Sequence, residues 1–321
     1  MAKASRFKQG TMFGSYRIER LIGKGSYGQV YLVNDIGTPD YFALKVEHNE
    51  SARNSLTNEI KELENLQESP YFPKLVTHGM LFNSQYYIME LLGSSVAAMR
   101  SELDTKRFSR YTTLFIVTEM LKCIKVLHQK GFIHRDIKPS NFLLRPGKNN
   151  PICLIDFGLS VSYIDPSTNE HLPFRNDIGF VGSKRYASIN AHERNQLSRR
   201  DDMLSWFYSC VELYTGDLPW SNTNVSETIY TLKKNINPSE LCSGMPSEFT
   251  EIYRRIRNLR YEDCPPYDYI LRHLDNLLTN FRKSSQVLDW EYFSDERIAL
   301  ISAVQLNEKE NQEQNYGICR I

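Results

Sequence analysis

The spacing of apolar residues changes near residue 93, and this change limits the possible folds more than any other feature. Before it, short runs rich in aromatic and β-branched residues predict strands at 16–22, 29–34, 41–47, 75–81 and 86–91. One helical pattern, over 55–67, interrupts them. After residue 93 the apolar residues recur at helical spacing, most clearly over 110–129 and 202–215. The sequence therefore predicts a small β-rich part joined to a larger helical part, with a hinge at Gly93.

Composition excludes several classes of protein. Hydrophobic residues make up 41% of the chain, which is typical of a globular protein and not of a disordered one. The 39 basic and 38 acidic residues leave a net charge of +1, so we expect no binding to nucleic acid or membrane surfaces through bulk charge. No apolar run reaches 18 residues, and the first residues lack the apolar core of a signal peptide. We expect a monomeric, cytoplasmic protein that can also be nuclear.

Six scattered cysteines form no C-x-x-C pair, which argues against a zinc site or a disulfide framework. A clearer signal is the pattern G-x-G-x-x-G at Gly23, Gly25 and Gly28. Strand-like residues lie on both sides of it, so it predicts a hairpin, whereas a dinucleotide-binding fold needs a helix after the glycines. A glycine hairpin can lie close over a triphosphate because no Cβ blocks the approach. An ordinary glycine-rich turn is the alternative.

A lysine and a glutamate are predicted to pair. Lys45 lies near the end of the strand-like run over 41–47, where a lysine usually faces solvent. On the helix predicted over 55–67, Glu59 shares the apolar face, whereas Glu62 lies nearer the polar side. A carboxylate that faces a core needs a cation to stay charged. Pairing Glu59 with Lys45 meets this need and would hold the ammonium where it can bind α- and β-phosphates.

The most specific signal combines two tripeptides. His-Arg-Asp ends at Asp136, Asn141 follows it, and Asp-Phe-Gly begins at Asp156 after an apolar run. This order and spacing leave little room for chance. Asp136 would accept or orient the proton of an attacking hydroxyl, while Asn141 and Asp156 offer oxygen ligands suited to Mg²⁺. Lys138 would contact the transferred phosphoryl group. Together these residues predict phosphoryl transfer that works by positioning and charge stabilisation.

With these motifs the chain resembles a eukaryotic protein kinase over residues 16–292. The resemblance implies an α+β bilobal kinase fold, with a small antiparallel sheet and one helix in the first lobe and mainly helices in the second. It divides the chain into an N-terminal arm (1–15), a small lobe (16–92), a large lobe (93–292) and a tail (293–321). An apolar pattern in the tail predicts a short helix that docks on the same chain. ATP and Mg²⁺ are the implied cofactors.

Within the kinases the chain resembles the casein kinase 1 group. Gly-Ser-Lys-Arg-Tyr-Ala-Ser over 182–188 differs from the group's motif only in having Ser183 for Thr, and Ser-Ile-Asn over 188–190 stands where most kinases have Ala-Pro-Glu. The runs at 43–47 and 289–291 favour the tau-tubulin kinase branch, whereas 199–202 resembles casein kinase 1 proper, so both branches stay open. By this resemblance Met89 is the gatekeeper residue, and the backbone of Glu90 and Leu92 would bind adenine. The nucleotide-binding residues that it implies are Ile22, Gly23, Gly25, Gly28, Val30, Ala43, Lys45, Met89, Glu90 and Leu92.

The substrate class follows from the same resemblance. Lys138 is typical of serine/threonine kinases, so we expect transfer to Ser and Thr of proteins, with casein-like or tubulin-like substrates. Arg175 matches one member of the group's basic cluster for acidic or phosphorylated residues. The segment that should complete this cluster, 221–227, contains no Lys or Arg, which predicts weak dependence on priming phosphates. A nucleotide-binding pseudokinase scaffold is the alternative, although Lys45, Asp136 and Asp156 are all present.

Three further charged positions carry sequence expectations. Asp202 resembles an aspartate that tethers the catalytic-loop backbone in kinases. Asp201, its neighbour, is expected to be a solvated charge. The basic residues of the arm, Lys3, Arg6 and Lys8, are also expected to be solvated.

Overall fold

A computed structural model describes residues 5–25, 28–47, 55–145, 152–281 and 287–292. In the small lobe the described strands form a six-stranded antiparallel sheet with the order β1-β2-β3-β4-β6-β5. The predicted strands over 41–47 and 75–81 are found with the same bounds, and the others differ by one or two residues at an end. The strands are β1 (Met12–Phe13), β2 (Tyr16–Lys24), β3 (Gly28–Asp35), β4 (Tyr41–Glu47), β5 (Leu75–Leu81) and β6 (Ser84–Glu90).

Helix α1 (Ser55–Leu66) packs against this sheet, as the helical pattern predicts. Its apolar stripe is buried, and Glu59 is fully buried with it. The expectation for Glu62 is wrong, because its side chain is buried too, with 6% of its surface exposed. The large lobe also covers α1, through the short 3-10 segment Phe157–Leu159, so the buried part of the helix is wider than its apolar stripe.

The large lobe is mainly helical. Ser109 begins α3 by accepting a hydrogen bond from the Thr112 amide, and the helix ends at Gln129 as predicted. The indole of Trp206 donates to the Val117 carbonyl at 3.0 Å, which joins the helix over 199–215 to the helix over 110–129. The helices are α2 (Val96–Glu102), α3 (Arg110–Gln129), α4 (Ile189–His192), α5 (Arg199–Thr215), α6 (Ser226–Asn235), α7 (Pro238–Leu241), α8 (Ser247–Arg257) and α9 (Tyr267–Phe281).

Two small antiparallel ribbons carry the catalytic motifs. The first pairs β7 (Phe132–Ile133) with β10 (Val161–Ser162), and the second pairs β8 (Phe142–Leu144) with β9 (Ile152–Leu154). The His-Arg-Asp tripeptide follows β7 and the Asp-Phe-Gly tripeptide follows β9. The ribbons therefore bring the two tripeptides to one place beneath the small lobe.

The N-terminal arm lies against the small lobe. Arg6 donates to the carbonyl oxygens of Glu47 at 3.0 Å and Phe82 at 3.4 Å, so the expectation that it is solvated is wrong. The ring of Phe7 packs on Phe13 and Phe82. Strand β1 also belongs to the segment expected to be an arm, and its pairing with β2 adds it to the sheet. Lys3 lies outside the described residues.

No helix among the described residues is both long and apolar enough to span a membrane. The helix predicted in the tail also falls outside the described residues. The bilobal α+β fold expected from the sequence is confirmed by the sheet and helices that are described.

Candidate active site

A cleft of about 1150 Å³ lies between the two lobes. The small lobe contributes the glycine hairpin at its roof, and the large lobe contributes the catalytic motifs at its floor. The cleft therefore brings together residues that lie more than 100 positions apart in the sequence. The sequence-predicted residues that line it are Gly23, Gly25, Gly28, Val30, Lys45, Met89, Asp136, Lys138, Asn141 and Asp156.

Lys45 lies at the junction of the lobes. Its Nζ is 2.7 Å from Glu59 Oε1 and 2.9 Å from Asp156 Oδ1, so one ammonium joins α1 to the Asp-Phe-Gly tripeptide. The hydroxyl of Tyr87 and the amide of Phe157 also donate to Glu59 Oε1. The predicted pair is therefore present and forms part of a larger network that orders both lobes.

Electrostatics keep Lys45 and Asp156 charged, whereas burial raises the pKa of Glu59 above its usual value. Burial alone lowers the pKa of Lys45, but the charges of Asp156 and Glu59 outweigh it and hold the pKa well above its usual range. Burial raises the pKa of Asp156, but the charge and hydrogen bond of Lys45 outweigh that effect and leave the pKa below its usual value. A cation and an anion thus face the cleft together near neutral pH.

Asp136 is held by groups from two segments. Lys138 Nζ donates to Asp136 Oδ2 at 2.7 Å and to Ser183 Oγ at 3.0 Å. The amide of Ser183 donates to Asp136 Oδ1 at 2.9 Å. The carboxylate is therefore fixed between the catalytic loop and the segment that contains Ser183, with both oxygens engaged.

The backbone around Asp136 is anchored from below. Asp202 accepts hydrogen bonds from the amides of His134 at 2.7 Å and Arg135 at 2.8 Å, and its predicted tethering position is the one observed. Arg135 adopts a left-handed φ of 66°. A Cβ on Gly182 would lie 2.5 Å from the Arg135 carbonyl oxygen, so only glycine fits this close approach. These contacts hold Ser183 against Asp136.

Asn141 and Asp156 fit a magnesium site. Asn141 Nδ2 donates to the Asp136 carbonyl at 2.9 Å, so the amide presents its oxygen as the ligand atom. Asp156 has a φ of 69°, and its side chain is 36% exposed, so it is accessible from the cleft. One carboxylate and one amide oxygen beside a phosphate cradle is a donor set that Mg²⁺ accepts, because the ion takes its remaining ligands from phosphate and water.

In the roof of the cleft, strands β3 and β4 approach each other closely at Gly28. A Cβ at Gly28 would lie 2.3 Å from the carbonyl oxygen of Val46, so this position requires glycine. Ala43 is buried on β4 directly opposite Met89 on β6. Ile22 is partly buried against the core. Of these residues, Gly28 and Met89 line the cleft, while Ile22 and Ala43 pack in the core beside it.

The segment after Met89 is held by an arginine that the sequence reasoning missed. The carboxylate of Glu90 accepts from Arg145, whose guanidinium also donates to the carbonyls of Pro70 and Phe72. The Glu90 side chain therefore anchors the connection between the lobes.

Four of the nucleotide-binding residues predicted from the sequence do not line the cleft itself. They are Ile22, Ala43, Glu90 and Leu92.

Comparison with known proteins agrees with this geometry. The protein kinase domain model matches residues 16–301. The chain belongs to the protein kinase family. A probable serine/threonine-protein kinase of Dictyostelium discoideum is 34% identical over 281 residues, which cover 87% of this chain and 57% of that protein. The chain therefore matches little more than half of that relative's length.

The part of the large lobe between residues 175 and 233, called the peptide side below, differs from its sequence expectation at Asp201. The residue is 3% exposed, and it accepts from Ser188 Oγ at 2.6 Å, Asn190 Nδ2 at 2.8 Å and the Ser198 amide at 2.8 Å. The expectation of a solvated charge is wrong because α5 begins inside the lobe, beneath the Ser-Ile-Asn turn. Asp201 therefore joins that turn to the start of α5.

Arginines of the peptide side have different surroundings. Arg175 is exposed and does not line the cleft. Arg185 forms salt bridges at 2.7 Å with both Glu212 and Asp217. Glu212 is buried and also accepts from Arg100 and Tyr186. The guanidinium of Arg185 is therefore already neutralised by carboxylates of the same lobe.

Sequence reasoning missed four residues that shape the site: Tyr87, Arg145, Glu212 and Lys233. None belongs to a short motif, and each acts on a segment distant in sequence. Tyr87 lies within a run of three buried residues on β6, and Lys233 lies one helical turn after the buried Ile229. The partners of Arg145, Glu212 and Lys233 are created by tertiary packing.

Proposed function

We propose that this chain is an ATP-dependent protein kinase that phosphorylates Ser and Thr residues of proteins. The observation that carries the proposal is the simultaneous assembly of two clusters in one cleft. Lys45 contacts both Glu59 and Asp156, while Asp136 contacts both Lys138 and the segment of Ser183. A scaffold that only binds nucleotide has no need of the second cluster.

Each residue has a role in this reaction. Lys45 would bind α- and β-phosphate oxygens, and Asp136 would orient the acceptor hydroxyl and take its proton. The acceptor oxygen forms a bond to the γ-phosphorus as the bond to the β–γ bridging oxygen breaks, and ADP leaves. Asn141 and Asp156 would hold Mg²⁺, which neutralises charge on phosphate oxygens when bound. Lys138 would stabilise charge on the transferred group.

Membership in the casein kinase 1 group is part of the proposal. It is supported by the Ser-Ile-Asn turn, since Ser188 and Asn190 both bind Asp201. A turn with Ala-Pro-Glu could not make these two hydrogen bonds, so the turn and Asp201 form a matched set. The tau-tubulin kinase and casein kinase 1 branches both remain compatible with it.

We also propose reduced dependence on priming phosphates. Arg185 is neutralised by Glu212 and Asp217, so an acidic substrate residue would have to compete with two carboxylates. Arg175 is exposed, and an isolated exposed cation attracts an anion only weakly. The segment 221–227 contributes no cation. The anion site expected for the group is thus incomplete.

The decisive experiment is transfer of radiolabelled phosphate from ATP–Mg²⁺ to casein and to tubulin, with Asp136→Asn as the matched inactive variant. We expect Ser and Thr labelling by the wild type and a loss of about 10²- to 10⁴-fold in the variant. Equal labelling by both proteins would reject the assignment of Asp136. No labelling by either protein, with ATP binding shown by calorimetry, would favour the scaffold.

The priming proposal is tested with one peptide made in phosphorylated and unphosphorylated forms. We expect similar kcat/KM values for the two forms. A preference of tenfold or more for the phosphorylated peptide would overturn this part of the proposal and leave the kinase assignment intact.

A further inference from the structure

Lys233 on α6 is a cation in an unusual place. Its side chain is fully buried, with 0% of its surface exposed, whereas Lys234 beside it has a side chain that is 55% exposed. Buried lysines are rare because removal of an ammonium from water is costly unless strong acceptors replace the water. The surroundings of Lys233 must therefore supply such acceptors.

Two of those acceptors are backbone carbonyls of the segment 183–187. Lys233 Nζ donates to the carbonyl oxygens of Lys184 and Ala187, each at 2.7 Å. The rings of Tyr208 and Trp220 lie about 5 Å from the ammonium, at 5.1 and 5.0 Å. Within the described residues no carboxylate forms a salt bridge with Lys233. Carbonyl dipoles, aromatic faces and the ring nitrogen Nε2 of His192, which is 3.4 Å from Nζ, surround Lys233 in place of a counterion.

The same segment is held at a third carbonyl. Trp220 Nε1 donates to the Arg185 carbonyl oxygen at 2.8 Å. Side chains from the 220–233 region thus bind the carbonyls of residues 184, 185 and 187. The segment begins at Ser183, whose amide and hydroxyl contact Asp136 and Lys138. A shift of these carbonyls would therefore move Ser183 relative to the catalytic carboxylate.

We propose that Lys233 is a positioning residue for the peptide substrate: its ammonium fixes the segment 183–187 from below, so that the segment stays aligned with Asp136. The proposal rests on the kinase function proposed above. Lys233 does not line the cleft, so it acts through the segment and touches neither ATP nor peptide. Packing alone would be served by an apolar side chain, whereas two aligned carbonyls require a donor.

The test compares Lys233→Met with Lys234→Met in the full chain. Met has nearly the same length as Lys but donates no hydrogen bond, and Lys234 is the matched exposed control on the same helix. We expect Lys233→Met to raise the KM for a peptide substrate about tenfold, with the KM for ATP unchanged, since two charge-assisted hydrogen bonds are lost. Lys234→Met should change neither, and Lys233→Arg should recover part of the loss.

A second readout needs no catalysis. Amide hydrogen exchange of residues 184–187 should become faster in Lys233→Met and stay unchanged in Lys234→Met. If the wild type fails to phosphorylate any peptide, the kinase proposal fails, but this exchange comparison still decides whether Lys233 holds the segment. If Lys233→Met does not fold, Lys233→Gln, which keeps one donor group, is used in both measurements.

Several outcomes would overturn the proposal. One is a KM for ATP that rises as much as the KM for peptide, which would indicate a general structural role. Another is unchanged hydrogen exchange at 184–187 in a folded Lys233→Met protein. Faster exchange together with a selective rise of the peptide KM would support it.

Discussion

Two buried lysines, one that lines the cleft and one that lies beneath the segment 183–187, are held by different chemistry. On the nucleotide side, Lys45 lies between the carboxylates of Glu59 and Asp156. On the peptide side, Lys233 lies between the carbonyls of Lys184 and Ala187 and beneath aromatic rings. The first arrangement is a network of opposite charges that spans two lobes, and the second is a cation that orders the backbone of one segment.

This difference has an energetic consequence. Lys45 has its pKa raised by its two anions, so it stays charged in the cleft. Burial lowers the pKa of Lys233, and the nearby charge of Arg185 lowers it further. Lys45 lines the cleft, where a ligand can reach it, whereas Lys233 does not line the cleft and contacts backbone carbonyls. Lys45 is therefore placed to contact a ligand in the cleft, whereas Lys233 is placed to hold the backbone of its own lobe.

The largest effect should come from breaking the nucleotide-side network. Lys45→Met leaves the fully buried Glu59 without its cation, and we expect a loss of about 3–5 kcal/mol in the free energy of unfolding. Glu59→Gln should cost less, because Lys45 keeps Asp156. Urea denaturation of both variants measures this, with nucleotide binding measured alongside. Equal losses in the two variants would show that Asp156 does not support Lys45.

A smaller loss is expected on the peptide side at Asp201. Asp201→Ala removes the acceptor for Ser188, Asn190 and the Ser198 amide, and we expect destabilisation of about 2–3 kcal/mol. Asp201→Asn keeps one oxygen for the Ser-Ile-Asn turn and should lose less. Thermal unfolding monitored by circular dichroism compares the two. A full-sized loss in Asp201→Asn would place the effect at the start of α5 instead of at the turn.

Behind the nucleotide site, Glu62 should make stability depend on pH. Burial raises its pKa to about 7, and its Oε2 has no hydrogen-bond partner within the described part of the chain. Because Glu62 stays protonated to a higher pH in the folded state than in the unfolded state, the free energy of unfolding of the wild type should fall as pH rises towards 7. We expect the stability of Glu62→Gln relative to the wild type to increase by about 2–3 kcal/mol between pH 5 and 7.5.

The control for this prediction lies on the same helix. Glu64 is half exposed, and His78 is its one ion-pair partner in the part of the chain that the structure describes, so Glu64→Gln should change stability by less than about 1 kcal/mol at either pH. Urea denaturation at several pH values measures all three proteins. If the difference between Glu62→Gln and the wild type does not change with pH, Glu62 is not the titrating group.

The smallest effect should come from the exposed partner of Arg185. Asp217→Asn removes one of its two carboxylates while keeping the oxygen that accepts from the Leu218 amide. We expect the preference for a phosphorylated over an unphosphorylated peptide to increase about two- to threefold, as is usual for an exposed ion pair. The ratio of the two kcat/KM values measures it. An unchanged ratio would show that Arg185 does not meet the substrate's anion.

Local patterns were sufficient for the elements with the clearest periodicity. Helix α3 follows from its apolar spacing, and strand β4 from its β-branched and aromatic residues. Asp136 and Asp156 were found because phosphoryl transfer needs those side chains at a fixed spacing. Glu59 could be paired with Lys45 because a buried carboxylate requires a cation.

Errors arose where burial comes from a distant segment. The helical wheel of α1 places Glu62 towards the polar side, but the 3-10 segment Phe157–Leu159 covers that face. Asp201 begins a helix, where a charge is usually solvated, yet the Ser-Ile-Asn turn lies over it. Arg6 was expected in solvent, and it binds carbonyls 41 and 76 residues away.

By itself the sequence determined five strands of the small lobe, the helices α1, α3 and α5, and the pairing of Lys45 with Glu59, since each depends on short-range spacing or on a single chemical requirement. Only the tertiary structure decided how the peptide side is held. Lys233 and Lys234 are identical neighbours in the sequence. Lys233 lies four residues after Ile229 and three before Ile236, so helical spacing places it on the buried face of α6, but that spacing does not show which groups its ammonium meets. One is buried against carbonyls 46 and 49 residues away, and the other faces solvent, because packing of α6 on the lobe turns only one of the two inward.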